Sequence, residues 1–209
     1  NGAKEIADAH GKALTFMAKF NEREGNSCHI HLSVRSIKND EPVMSDTKRE
    51  YGFSKLMEHW IAGQLAAMRE LSLFFAPNIN SYKRYVEDTF APTRIAWSYD
   101  NRTVGFRIVG HGPSLRVECR IPGGDANPYL VYAGMLAAAL DGVERKTDPG
   151  PIFTGNGYLA TGLPRVPFTL GEAIEAFAQS PLPVAAFGRD VVEHLVHFSR
   201  AELRAYERH

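Results

Sequence analysis

Two short segments of the sequence alternate polar side chains with apolar ones. Residues 28–33 are CHIHLS and residues 116–121 are RVECRI. Imidazole and carboxylate groups are ligands for Mg²⁺ or Mn²⁺, so the two segments suggest a metal-binding site. Because side chains two positions apart in a strand share one face, each segment predicts a polar face of three residues. These are His29, His31 and Ser33 in the first segment, and Arg116, Glu118 and Arg120 in the second.

Arginines are concentrated around the second segment. Arg102, Arg107, Arg116 and Arg120 fall within nineteen positions of one another, and Arg84 lies a little upstream. Closely spaced arginines on rigid strands are suited to multidentate binding of phosphate and carboxylate groups. A solvent-exposed sheet face is the alternative explanation for either segment alone. Both segments lack Lys, Thr and Gln, which favours a site for a metal, a polyanion and a carboxylate substrate.

The remaining pattern predicts the elements that position these side chains. We expect the first two strands to form a hairpin, and the Gly and Pro punctuation between strands favours antiparallel pairing. Asp125 and Asn127 are expected to cap one helix, and Thr169 another, with Glu172 completing its capping box. Strands in the first half, with helices between and after them, indicate an α+β domain. The predicted strands are 14–20, 27–36, 103–109 and 115–121, with an extended segment at 93–97, and the predicted helices are 52–75, 129–146, 169–180 and 190–209.

Composition excludes several classes of protein. The 209 residues contain 24 Lys and Arg and 24 Asp and Glu, so no overall basic field attracts nucleic acid or an anionic membrane. No run of about 18 apolar residues and no signal-peptide core occurs, which predicts a cytoplasmic protein. Cys28 and Cys119 are too few for a disulfide framework and are expected to be reduced.

Six blocks, in order and spacing, resemble the catalytic domain of the glutamine synthetase family. They extend from about Gly11 to Lys146 and read HGKALTFMAKF, GNSCHIHLS, NSYKRY, APTRIAWSYDNRT, RVECRIP and ANPYLVYAGMLAAALDG. Within that family, NSCHIHLS, FAPTRIAW and GHGPSLRVECRIPGGDANPYL are most similar to glutamate–amine ligases that resemble γ-glutamylpolyamine synthetases. The resemblance implies a curved antiparallel sheet that is lined with site residues and backed by helices.

The resemblance also implies a reaction and a role for each matching residue. The reaction is ATP-dependent formation of γ-glutamyl phosphate from glutamate, followed by attack of an amine, with two Mg²⁺ or Mn²⁺ ions per site and with subunits assembled in rings that share active sites. The implied metal ligands are His29 and Glu118; glutamate is held by Arg84 and Arg120 beside Gly25; ATP contacts His31, Ser33, Arg102 and Arg107; and Arg102 and Arg120 are catalytic.

Several positions depart from the family pattern. Glu24 replaces the asparagine usual before the loop glycine, and the loop GHGPS is about two residues short and lacks an expected lysine. Tyr158 lies near a tyrosine that some bacterial members adenylylate, but the sequence after it differs, which favours a packed loop tyrosine. Phe90 stands where ammonia-using members carry a flap glutamate, so we expect an organic amine as acceptor and treat Phe90 as substrate-binding. Alternatively, Glu87 or Asp88 supplies the missing charge.

Residues 1–209 are therefore interpreted as a catalytic-domain fragment. The resemblance implies a β-rich domain and further metal ligands before it, and a terminal segment after it. Because two metals need about six ligands, the fragment alone is expected to bind Mg²⁺ or Mn²⁺ weakly and to be inactive. Two other functions stay open: a true glutamine synthetase that uses ammonia, and a non-catalytic paralogue that serves as a binding or assembly module.

Overall fold

The protein has eight α-helices and one four-stranded sheet within residues 2–208, the part of the chain that the computed structural model describes. This is the α+β class that the sequence predicts. No helix in residues 2–208 combines the length and apolarity that a membrane span requires. The helices are α1 (Gly2–Ala9), α2 (Lys55–Ala67), α3 (Ser72–Phe75), α4 (Ile79–Tyr82), α5 (Pro128–Arg145), α6 (Leu170–Gln179), α7 (Pro181–Phe187) and α8 (Arg189–Tyr206). The strands are β1 (Ile30–Leu32), β2 (Trp97–Tyr99), β3 (Phe106–Val109) and β4 (Arg116–Cys119).

The strands lie in the order β1-β4-β3-β2, with β4 antiparallel to both β1 and β3. One pairing differs from the prediction, because β2 and β3 are parallel. Asp100 adopts a positive φ of 47°, and the Asn101 side chain accepts a hydrogen bond from the Thr103 N–H at 2.9 Å. This turn carries the chain back along β2. The Gly105 N–H then donates to the Arg94 carbonyl at 2.9 Å. Strand β3 therefore begins beside the start of β2 and runs in the same direction.

The prediction of a strand and hairpin at residues 14–20 is wrong. Strand formation requires a neighbouring strand for the backbone groups, and here those groups bond to two asparagines instead. Asn80 accepts from the Lys19 N–H at 2.9 Å, and the Asn26 N–H donates to the Ala18 carbonyl at 2.9 Å. The second predicted strand is also shorter than expected, because residues 34–36 bond to residues 41–43 beyond Leu32. Within residues 14–20, the exposed apolar side chains are Leu14, Phe16, Met17 and Phe20.

The sheet contributes one apolar face to a core that it shares with the helices. Helices α2 and α5 pack so closely that a Cβ on Gly63 would lie 2.0 Å from the Ala138 carbonyl oxygen. The long helix predicted at 52–75 is interrupted after α2, where the Ser72 hydroxyl donates to the Met68 carbonyl at 2.8 Å. Buried members of the shared core are Ile30, Phe106, Ile108, Val117 and Cys119 from the strands, and Met57, Ile61, Val131 and Met135 from the helices.

The helix caps predicted from the sequence are confirmed only in part. Asn127 caps α5 by accepting from the Tyr129 N–H at 3.0 Å, as predicted. Asp125 does not cap it, because its carboxylate accepts from the Ser81 hydroxyl at 2.7 Å. Thr169 caps α6, but the Glu172 carboxylate accepts from the Phe168 N–H instead of closing a box on Thr169.

The C-terminal region contains one helix more than predicted. Ser180 is the N-cap of helix α7 (Pro181–Phe187), and its side chain accepts from the Leu182 N–H at 3.3 Å. Gly188, with a φ of 84°, ends α7 and separates it from α8. The end of the predicted helix 190–209 includes a residue outside the described range.

Candidate active site

Glu118 lies at the centre of a polar row that crosses three strands. Its Cα partner on β1 is His31 and its Cα partner on β3 is Arg107. Antiparallel pairing places directly opposite side chains on the same face, so the two polar faces predicted from the sequence merge into one. Behind them, Ile30 and Cys119 point into the core. The strand register therefore creates a compact cluster from residues that are far apart in sequence.

Both oxygens of the buried Glu118 carboxylate have partners. Oε1 accepts a hydrogen bond from Arg120 at 2.8 Å and lies 3.2 Å from Nδ1 of His29. Oε2 accepts from Arg107 at 3.0 Å. Arg107 in turn donates from Nε to Asp100 at 2.9 Å, so its guanidinium is held from two sides. A chain of charged groups results, in which acids and arginines alternate.

The charges around Glu118 determine its protonation state. Burial alone raises the pKa of this carboxyl group, but hydrogen bonding to His29 and the guanidinium groups of Arg120 and Arg107 outweigh burial and lower the pKa to about 2. Glu118 is therefore fully ionised near neutral pH. Its negative charge in turn keeps two arginines close together at the base of the site.

One cavity brings together six of the residues singled out in the sequence. It has a volume of about 360 Å³ and is open to solvent. Its floor is formed by the Glu118 cluster, and its rim by two residues from loops, one before β2 and one between β2 and β3. The lining residues are His29, Phe90, Arg102, Arg107, Glu118 and Arg120.

Arg84 and Gly25 lie beside this cavity but do not line it. The Arg84 guanidinium is buried and donates to the carbonyl oxygens of Arg120, Ile121 and Pro122 at 3.1–3.2 Å. Gly25 packs against Arg84, since a Cβ at this position would lie 2.9 Å from Cγ of Arg84. Arg84 thus supports the chain segment that carries Arg120, and its predicted contact with glutamate stays a prediction.

The two predicted ATP contacts in the first polar segment, His31 and Ser33, lie towards the far edge of the cluster. His31 is exposed, and Nε of Arg116 donates to its Nδ1 at 3.3 Å. Burial lowers the pKa of His31, the nearby Glu118 carboxylate raises it, and the net shift is downward, which keeps the imidazole neutral and able to accept. Ser33 is exposed just after β1. Neither residue lines the cavity.

Sequence reasoning missed one member of the cluster, Asp100. Its carboxylate binds Arg107 through two donors, and these charge-assisted bonds lower its pKa. The signal available was an acidic residue in a turn, three positions after the extended segment predicted at 93–97, in an arginine-rich stretch. His111 and Tyr99 form a second unforeseen pair, with the Tyr99 hydroxyl 2.6 Å from the imidazole Nδ1.

His29 fits the role of metal ligand better than Glu118 does. Its Nε2 is buried and has no hydrogen-bond partner within residues 2–208, so a lone pair is available there. Glu118 already contacts guanidinium groups with both oxygens, so a bound metal would share that carboxylate with Arg107 and Arg120. Across residues 2–208 no three His, Cys, Asp or Glu side chains are arranged to hold a metal.

Comparison with protein families explains this concentration of arginine, histidine and carboxylate groups. A family model described as the catalytic domain of glutamine synthetase matches residues 1–209. The chain belongs to the glutamine synthetase family. This agrees with the six sequence blocks and extends the match over the whole chain.

Within the glutamine synthetase family, the chain is similar to several glutamate–amine ligases. It is 52% identical to gamma-glutamylethanolamide synthetase GlnA4 of Streptomyces coelicolor, covering 99% of this chain and 44% of the relative. It is 39% identical to gamma-glutamylputrescine synthetase PuuA of Escherichia coli, covering 81% and 36%. Proteins named as glutamine synthetases match at 32–38% identity. These similarities confirm the resemblance to glutamate–amine ligases.

A solved structure described as a GmaS/ADP complex in conformation 1 has the same fold. Its TM-score is 0.90 at 31% identity, and the match covers 99% of this chain and 49% of that one. The chain thus spans less than half the length of the relatives and of the structure that it matches.

Proposed function

We propose that this protein is an ATP-dependent glutamate–amine ligase that acts through γ-glutamyl phosphate on an organic amine. The observation that carries the proposal is the single cavity that gathers His29, Glu118 and three arginines. Transfer of a phosphoryl group between two anions requires positive charge and exact positioning more than a protein nucleophile. Similarity to gamma-glutamylethanolamide synthetase and to a structure that contains ADP supports the same conclusion.

The first step transfers the γ-phosphoryl group of ATP to the side-chain carboxylate of glutamate. The bond between the β,γ-bridging oxygen and the γ-phosphorus breaks, a carboxylate oxygen bonds to that phosphorus, and ADP leaves. Arg102 and Arg107 are placed on the rim and floor of the cavity, where they can neutralise the phosphate oxygens. Arg120, fixed by Glu118, is placed to bind a glutamate carboxylate.

The second step forms the amide bond. The amine nitrogen attacks the activated carbonyl carbon, inorganic phosphate leaves, and the nitrogen loses a proton. Water must be excluded, because it would hydrolyse the acyl phosphate. Phe90, on the rim of the cavity, is suited to cover the reacting atoms with an apolar side chain.

Divalent ions are expected from the family, and His29 is the residue that fits them. His29 would hold one ion through Nε2, and Glu118 would share its carboxylate between the other ion and the arginines. When bound, such ions neutralise phosphate charge and orient the oxygens of ATP. Without them, the arginines provide the positive charge within the described cavity.

Phe90 supports the choice of an organic amine over ammonia. The ring lines the cavity and is largely exposed, at 63%. Glu87 and Asp88, the alternative sources of negative charge, are exposed and do not line the cavity. A phenyl ring can cover the alkyl part of an amine or contact its cationic head, whereas it cannot accept a proton from ammonium.

The test is a panel assay of the full-length protein. ADP release is measured with glutamate, ATP, Mg²⁺ or Mn²⁺, and ammonium, ethanolamine, putrescine, spermidine or an alkylamine. We expect glutamate-dependent release with the highest kcat/KM for an organic amine. The highest value for ammonium would make the protein a true glutamine synthetase. Nucleotide binding without ADP release from any mixture would indicate a non-catalytic paralogue. The size of the assembly, measured by light scattering, tests the predicted rings.

A further inference from the structure

The loop that carries Phe90 is held by few bonds of its own. Both Asp88 and Phe90 have positive φ values, 59° and 56°, which non-glycine residues adopt only when their surroundings impose them. Residues 87–90 form a turn, but within residues 2–208 no backbone–backbone hydrogen bond of regular geometry involves residues 87–91. The Thr89 hydroxyl donates to the Val86 carbonyl at 2.6 Å, a contact inside the loop. Packing from outside the loop must therefore maintain its conformation.

Tyr158 lies on the inner side of this loop. With Val86, Glu87 and Ala91, its side chain lines a small cavity of about 70 Å³ behind the loop. Its hydroxyl is buried beside the Phe90 backbone and near the Arg120 guanidinium, without a hydrogen bond of normal geometry in the described part of the chain. Burial raises the pKa of this hydroxyl, so it is protonated at neutral pH. The side chain of Tyr158 thus lies close to the backbone of the loop.

The backbone next to Tyr158 is hydrogen-bonded to a second loop of the active site. The Tyr158 backbone N–H donates to the Asn156 side chain at 2.9 Å. The preceding Gly157 N–H donates to the Thr103 hydroxyl at 2.7 Å, and a Cβ on Gly157 would lie 2.3 Å from the Thr103 carbonyl oxygen. Thr103 directly follows Arg102. Tyr158 therefore connects the turn that carries Arg102 with the loop that carries Phe90.

From this arrangement we infer that Tyr158 is a positioning residue that holds Phe90 over the amine-binding end of the cavity and so sets which amines fit. The inference rests on the proposed function and adds to it the residue that controls the acceptor. Tyr158 acts through Phe90 and touches no reacting atom. Because the hydroxyl makes no hydrogen bond of normal geometry within residues 2–208, the positioning is assigned to the ring.

The test compares Tyr158→Ala, Tyr158→Phe and the exposed neighbour control Leu159→Ala in the full-length protein. A positioned group displaced by about 1 Å costs up to about 10²-fold in rate. We therefore expect Tyr158→Ala to lower kcat/KM for the preferred amine by about 10–100-fold and to reduce discrimination between small and large amines. KM for ATP should change less than about threefold. Tyr158→Phe and Leu159→Ala should stay close to the wild type.

Two further measurements separate positioning from a general structural role. If Tyr158 acts through Phe90, then Tyr158→Ala should add little to the loss already caused by Phe90→Ala, because the two changes affect one contact. Cleavage within residues 86–91 by a non-specific protease under native conditions should become about tenfold faster in Tyr158→Ala, with the Tyr158→Phe rate unchanged. The proteolysis measurement does not depend on activity, so it tests the inference even if the panel assay refutes the ligase proposal. Additive kinetic losses, an equal rise in every KM or unchanged loop cleavage would overturn it.

Discussion

Arg107 and Glu118 lie directly opposite each other on β3 and β4, and the guanidinium donates to the carboxylate at 3.0 Å. Arg107 is also bound to Asp100, so its orientation is fixed before any substrate arrives. A preorganised cation needs little reorganisation when a phosphate approaches. This pair therefore links the stability of the sheet to the chemistry proposed for the cavity.

The Glu118 carboxylate should make stability depend on pH. Its pKa of about 2 lies below the ordinary value of 4.5, so its charge stabilises the folded state fully above about pH 4.5, and that contribution is lost as the pH falls towards 2. In metal-free buffer, the free energy of unfolding of the wild type should fall more steeply than that of Glu118→Gln over this range. After allowance for solvent screening in the open cavity, the wild type should lose about 1–2 kcal/mol more unfolding free energy than Glu118→Gln. Glu22→Gln, in an exposed loop, should follow the wild-type slope.

Substitution of His29 tests its role as a metal ligand. His29→Ala should reduce glutamate-dependent ADP release by about 10²–10³-fold, as is typical for loss of a preorganised charge-stabilising group. The same variant should weaken Mn²⁺ binding, measured by titration calorimetry. His194→Ala, on the exposed part of α8, is the matched control and should be nearly silent. Retention of most activity in His29→Ala would return the histidine to a structural role.

Phe90→Glu should shift the acceptor towards ammonium. The change places a carboxylate on the cavity rim, where it attracts a small cation and can take its proton. We expect kcat/KM for ammonium to rise about tenfold and that for the preferred organic amine to fall. Glu87→Gln, outside the cavity, should leave the ranking of amines unchanged. If Glu87→Gln instead removed activity, the acidic side chain of that loop would be the source of charge.

Arg84 should contribute strongly to stability. Its guanidinium donates hydrogen bonds to three buried carbonyl oxygens. A buried acceptor that loses its donor costs about 1–3 kcal/mol of folding free energy. We predict that Arg84→Met lowers the free energy of unfolding by about 3 kcal/mol, measured with urea. Lys83→Met, exposed at the neighbouring position, should change it by less than about 0.5 kcal/mol. A rise in the KM for glutamate without loss of stability would favour direct substrate contact.

Much of the cavity could be predicted from the sequence because strand alternation is a local rule. His29, Glu118 and Arg120 were assigned to polar faces from the period of two alone, and the structure places all three in one cavity. The caps at Asn127 and Thr169 were likewise predictable, since a cap depends on a few adjacent residues. The individual substrate and metal roles of these residues stay predictions until they are tested by mutation.

Long-range contacts decided the features that the sequence did not reveal. Residues 14–20 have the composition of a strand, but their backbone groups bond to Asn26 and to Asn80, which lies about sixty positions away. The parallel pairing of β2 and β3 depends on the turn at Asp100 and the close approach of Gly105.

By itself, the sequence determined the α+β class and the polar faces that carry His29, Glu118 and Arg120, because local periodicity carries that information. The family followed from the resemblance of six motif blocks. Only the tertiary structure decided that Arg84 faces the carbonyl groups of residues 120–122 and that the Tyr158 hydroxyl lies beside the Phe90 backbone. Those contacts join segments more than thirty positions apart. Their geometry follows from how the whole core packs, which no short stretch of sequence specifies.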